Sequence, residues 1–193
     1  TVYYMPPAKA DPNSMELRGR VRDFGIELDR CSEIEIRGLG FHASGFWLKE
    51  CNDVSLRDCT FDYPATHRFL HGQFQYVAAW NPSSNGNTMP SFFGGKRNSF
   101  VNNTVRWCNA PVYLGSEEMV IENCLFSDIE WDVNSNGGSG AVMIGKDSVF
   151  RRNTITRCGN SEGVRAVGEG TTLEHNRLSD MSNLQHDGSA LNV

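Results

Sequence analysis

Apolar positions return along this chain in one recurring arrangement. An apolar residue is followed by two variable residues, a small or polar residue, one variable residue and a second apolar residue. Six copies occur: Ile36-Arg-Gly-Leu-Gly-Phe41, Leu56-Arg-Asp-Cys-Thr-Phe61, Phe100-Val-Asn-Asn-Thr-Val105, Ile121-Glu-Asn-Cys-Leu-Phe126, Phe150-Arg-Arg-Asn-Thr-Ile155 and Leu173-Glu-His-Asn-Arg-Leu178. Their starts lie 20, 44, 21, 29 and 23 residues apart. The interval of 44 reads as two steps, with a further coil through Tyr76-Val-Ala-Ala-Trp80. A period of about 20 to 25 residues with insertions is that of a solenoid, in which each coil buries its apolar face only against its neighbours.

A second apolar run precedes most copies: Phe24–Leu28, Gly45–Leu48, Pro111–Leu114, Gly140–Ile144 and Gly163–Val167, with Gly188–Val193 at the end. These runs are too short for helices and are punctuated by glycine, so they read as strands. The pattern predicts an all-β chain, a right-handed parallel β-helix of about seven coils, with residues 1–20 as a lead-in or cap and 21–193 as the solenoid. The segment Val54–Phe61 also fits a leucine-rich repeat. Four of the six copies begin with a residue other than Leu, and a second β run replaces the helical stripe such a repeat requires. By the repeat, Gly188–Val193 should lead to another copy, so the solenoid is expected to continue past the C-terminus.

The fourth position of the copies reads Leu39, Cys59, Asn103, Cys124, Asn153, Asn176. Stacked coils would align these in a ladder, the Asn amides bonding the backbone of the next coil and the Cys packing as small hydrophobes. The six cysteines (31, 51, 59, 108, 124, 158) fall at equivalent repeat positions. Free buried thiols are therefore expected, with Cys31 and Cys51 the one pair near enough to bridge.

A net charge of −5 and the lack of any Lys/Arg run argue against nucleic acid as partner. No apolar stretch approaches membrane-spanning length. The variable segments all fall at one corner, between the end of a copy and the next strand, and carry the chemistry. Residues 62–75 supply Asp62, Tyr63, His67 and Arg68; residues 127–139 supply Asp128, Trp131, Asp132, Asn134 and Asn136; Arg106, Trp107, Arg157 and Glu162 come from shorter ones. Such a rim suits an extended sugar polymer, because apolar sugar faces stack on aromatics while hydroxyls bond charged groups. Asp132, Asn134 and Asn136 copy the opening of a calcium loop, the one cofactor the residues suggest, but Met143 stands where that loop needs Glu. His186-Asp187-Gly188 places a titratable pair just before a strand, and also fits an Asp-Gly turn.

The opening Thr1–Pro7 with Asp11-Pro-Asn13, Ile34–Leu39, Phe61-Asp-Tyr-Pro64 and His186–Ala190 together resemble the bacterial right-handed β-helix repeat proteins. That group is similar to carbohydrate-active enzymes, both pectate-lyase-like lyases and β-helical glycoside hydrolases. The resemblance implies a secreted, periplasmic or cell-surface protein with its site on the outer face of one parallel sheet, around Arg165, His186, Asp187 and Asn192. A hydrolase needs two carboxyls, for which Asp187 is paired with Glu162 or Asp132. A lyase needs a base such as His186, plus Arg165 or a metal. Trp131, His67 and Arg68 would bind substrate. A non-catalytic adhesin or tailspike-like solenoid is the reading of another class.

Overall fold

Alternation decides the fold strand by strand, since short runs with every second residue apolar can bury one face only by stacking on copies of themselves. The computed structural model describes residues 11, 14–15, 22, 24–65, 89–131, 140–159, 162–166, 168–184 and 188–193. Coil one comprises β1 (Phe24–Asp29), β2 (Glu35–Arg37) and β3 (Gly40–His42); coil two β4 (Gly45–Lys49), β5 (Ser55–Arg57) and β6 (Thr60–Asp62). Coil three comprises β7 (Ser91–Phe93), β8 (Ser99–Val101) and β9 (Thr104–Cys108); coil four β10 (Val112–Leu114), β11 (Val120–Glu122) and β12 (Leu125–Ile129). Coil five comprises β13 (Gly140–Ile144), β14 (Val149–Arg151) and β15 (Thr154–Cys158); coil six β16 (Glu162–Ala166), β17 (Thr172–Glu174) and β18 (Arg177–Ser179). The short β19 (Leu191–Asn192) begins a seventh.

Every first strand pairs in parallel with the first strand of the next coil, and likewise for the second and third, giving parallel sheets of seven, six and six strands. This is a right-handed parallel β-helix, the hand that parallel crossovers adopt. No α-helix occurs among the described residues, and none is long and apolar enough to cross a membrane. Each sequence copy spans the corner between the second and third sheets. Its first apolar residue sits in one, its last in the other, and its fourth position lies at the bend.

The core is a column of such residues. Phe61, Phe100, Phe126 and Phe150 are fully buried and stack in series at 6.3, 6.1 and 6.3 Å between ring centroids. Beside them the ladder forms at the bend. Cys59 N–H donates to Asn103 Oδ1 at 2.8 Å, Asn103 Nδ2 donates to Leu56 O at 2.8 Å, and Asn153 makes the same two bonds to Cys124 N–H and Ile121 O. Asn176 repeats them to Asn153 N–H and Phe150 O. The amides thus bond the preceding coil rather than the next, each accepting from an N–H at that coil's bend and donating to a carbonyl of its second-sheet strand, so that the buried backbone donor between the two strands is satisfied. Leu39 aligns in sequence but is 49% exposed on coil one and makes no part of the buried ladder. A second buried polar column occupies the bend between the first and second sheets, where Asn98 bonds Val54 N–H, Cys51 O and Ser116 Oγ.

Two further expectations are corrected. The 44-residue interval holds one coil: β4 pairs with β7, β5 with β8 and β6 with β9, so no coil through Tyr76–Trp80 lies between them. Residues 66–88, Tyr76–Trp80 among them, lie outside the described residues. Cys31 and Cys51 do not bridge. All six thiols are free and five are buried, Cys31 being half-buried. Cys51 instead donates to the Leu28 and Lys49 carbonyls.

Candidate functional site

Corner residues take a left-handed backbone at every turn, which projects their side chains off the solenoid. At the bend from the third to the first sheet these are Ala43, Tyr63, Trp107, Asp128, Arg157 and Asp180, with φ between 53° and 58°. Away from the first sheet, several charged groups close on one another across coils. Arg97 grips Asp53 through two bonds of 2.9 and 2.7 Å, Arg106 grips Asp62 at 2.9 and 3.0 Å, and Arg157 grips Asp128 at 2.8 and 2.7 Å. Arg151 and Arg152 converge on Glu122. The guanidiniums beside them hold the Asp128 and Glu122 carboxyls below the usual carboxylate range.

The first sheet is different. Register places Glu27, Trp47, Ser91, Tyr113, Met143, Arg165 and Asn192 in one outward row, one residue per coil. From Trp47 to Asn192 this row spans about 24 Å at the usual interstrand spacing of ~4.8 Å. Ser91 and Met143 are buried although they point away from the core. Burial pushes the Tyr113 hydroxyl above its ordinary value. Gly115 makes room for this ring, since a Cβ there would meet it at 2.2 Å. Trp47 Nε1, Ser91 Oγ and Glu162 Oε2 are buried and take no hydrogen bond among the described residues.

At the far end of the row the structure brings three of the sequence candidates together. Arg165 and Asn192 are register partners, and Asn192 Nδ2 donates to Glu162 Oε1 at 2.5 Å. Gly140 clears space for Arg165, whose Cβ would lie 2.7 Å from a side chain at that position. Trp131 is placed elsewhere, at the bend into the first sheet, its Nε1 donating to Arg157 O at 2.9 Å. Asp187, His186, His67, Arg68, Asp132, Asn134 and Asn136 lie outside the described residues. Among the described residues no three His, Cys, Asp or Glu side chains gather as a metal would require.

Trp47, Ser91 and Tyr113 are candidates that the repeat did not single out. Trp47 and Tyr113 carried a signal, because each alternates with core residues, Phe46 and Leu48 in one case and Val112 and Leu114 in the other. Ser91 carried none while its coil was sought elsewhere.

No curated protein and no solved structure matches the chain. A family model, described as the right handed beta helix region, matches residues 91–191, just over half of the chain and nearly all of coils three to seven. The same coil geometry runs unbroken through residues 24–65, so the chain belongs to the right-handed β-helix family.

Proposed function

We propose that this protein binds a polysaccharide along the outer face of its first sheet and cleaves it by hydrolysis. One observation carries the reading: among the described residues the buried Trp47 Nε1, Ser91 Oγ and Glu162 Oε2 on this face have no hydrogen-bond partner, whereas Arg97, Arg106 and Arg157 elsewhere on the solenoid each close onto a carboxylate. Buried polar groups are almost always satisfied, and an exception in a row of stacked coils is what a hydroxyl-rich ligand would complete. Trp47 and Tyr113 add aromatic surface to the same row.

For hydrolysis, Glu162 is the first carboxyl, with Oε1 oriented by the Asn192 amide. Asp187 is its proposed partner, at a separation that would decide between inversion and retention. Arg165, the register partner of Asn192, supports elimination as the second reading, in which it would neutralise a uronate carboxylate while His186 removes the α-proton. A polymer of this size is met outside the cell, so the protein is proposed to be secreted, periplasmic or at the surface of a bacterium.

The test is a polysaccharide panel with two readouts. Reducing ends without new ultraviolet absorbance signify hydrolysis, and absorbance from an unsaturated end signifies elimination. Glu162→Gln should lower turnover about 10²- to 10⁴-fold with substrate affinity retained. Wild-type turnover by this variant would remove Glu162 from the site, and binding without cleavage on the whole panel would leave an adhesin.

A further inference from the structure

The bend from the third to the first sheet carries a feature that folding does not require. Equivalent corner positions on other coils hold Ala43, Asp128, Arg157 and Asp180, so the left-handed turn tolerates small and charged residues alike. On coils two and three it holds Tyr63 and Trp107. Bulky residues are uncommon at positive φ. Their rings stack at 4.9 Å with 18° between planes, yet remain 44% and 40% exposed. Trp131 on the following coil is 43% exposed and shares with them a cleft of about 290 Å³, completed by Asn109 and Asp128. Neighbouring groups hold the rings in place. The Arg106 guanidinium lies 4.6 Å from the Trp107 ring centroid while gripping Asp62, and Trp131 is tied to the Arg157 carbonyl.

Charge narrows what fits. Among the described residues the cations that flank the cleft are Arg106 and Arg157; each is bidentate to a carboxylate, and Arg157 keeps Asp128 ionised as a fixed acceptor. Flat aromatic rings would also stack nucleobases, but a nucleic acid needs uncommitted cations along its backbone. A uronate would set its carboxylate beside that of Asp128. A neutral sugar ring meets neither obstacle: its C–H face lies on the aromatics and its hydroxyls donate to Asp128 and Asn109.

We infer that Tyr63, Trp107 and Trp131 form a stacking subsite for a neutral glycan, charged polymers being excluded. This rests on the polysaccharide reading and extends it to a second place. The subsite adjoins the coil of Glu162, because Gly159 packs against the Trp131 backbone, where a Cβ would meet Trp131 Cα at 2.9 Å.

Calorimetric titration of the chain with soluble oligosaccharides of β-glucan, β-mannan and xylan, and of polygalacturonate, tests it. A neutral oligosaccharide should bind, and Trp107→Ala and Tyr63→Ala should each weaken it about tenfold, roughly 1.4 kcal/mol. Trp107→Phe should restore most of the affinity, and Arg97→Ala at the bend between the first and second sheets should change nothing. Circular dichroism confirms that each variant is folded. Neutral-glycan binding that survives both alanine variants in folded protein would overturn the subsite and leave the polysaccharide reading standing. Tight, salt-sensitive binding of polygalacturonate alone would overturn neutral selectivity. If no glycan bound the wild-type chain, both readings would fail together.

Discussion

Replacing Asn103 by Ala probes the bond between coils most directly. The side chain is buried and makes two bonds to the preceding coil, accepting from Cys59 N–H and donating to Leu56 O, both at 2.8 Å. Alanine leaves the Cys59 N–H and the Leu56 carbonyl without this partner in an interior that water does not reach. Each stranded group costs about 1–3 kcal/mol, so the loss should come to ~3 kcal/mol or more. For a chain of this size, where 1 kcal/mol moves Tm by about 2–4 °C, the melting point should fall by about 6–12 °C.

Asn103→Cys offers an internal comparison, since the fold already uses Cys at this rung. Cys124 Sγ accepts from Asn103 N–H at 3.4 Å and donates to Phe100 O at 3.3 Å. The Cys variant should therefore lie between wild type and Ala. Guanidinium denaturation followed by circular dichroism gives all three midpoints. A loss under 1 kcal/mol for Asn103→Ala, or Cys no better than Ala, would refute the claim that the ladder ties the coils together.

Further outcomes follow from the same geometry. Phe126→Ala opens the ring column at its middle and should destabilise by about 3–5 kcal/mol; a loss below 1 kcal/mol in chemical denaturation would mean the column is not continuous. Burial pushes the Cys124 and Cys158 thiols up to about 12, the nearby Glu130 charge adding to the effect at Cys158. A thiol reagent at pH 8 should label Cys31 in the native protein and the five buried cysteines only after unfolding, which mass spectrometry of labelled peptides reads directly. Arg157 holds Asp128 below the ordinary carboxylate value, so their pair stabilises the fold fully above an unfolded-state pKa of about 3.9 and is lost as pH falls through the depressed folded value. Asp128→Asn should be less stable at pH 7 yet lose less on acidification below pH 4, and an acid-unfolding curve parallel to wild type would contradict this.

The sequence by itself determined what depends on alternation within one coil. Phe100, Phe126 and Phe150 recur at the first or last position of their copies, and a residue of that type at that spacing has one way to be buried. The Asn and Cys rungs and the free state of the thiols follow from the same repetition, because equivalent positions in a solenoid must stack. Relations between coils were not written locally. Whether 44 residues hold one turn or two depends on which strands find each other's backbone groups, and an insertion leaves the pattern on either side unchanged. Only the tertiary structure decided that β4 pairs with β7, which sets Ser91 beside Trp47 and makes Tyr63 and Trp107, 44 positions apart, stack ring on ring. It also decided which charged groups close in ion pairs across coils and which polar atoms, among the described residues, do not. Arg106 and Asp62 read as members of a charged rim in sequence, and become a mutually satisfied pair only once register places them on adjacent strands. Register between parallel strands is set by long-range hydrogen bonding across the whole turn, and no short stretch of chain contains that information.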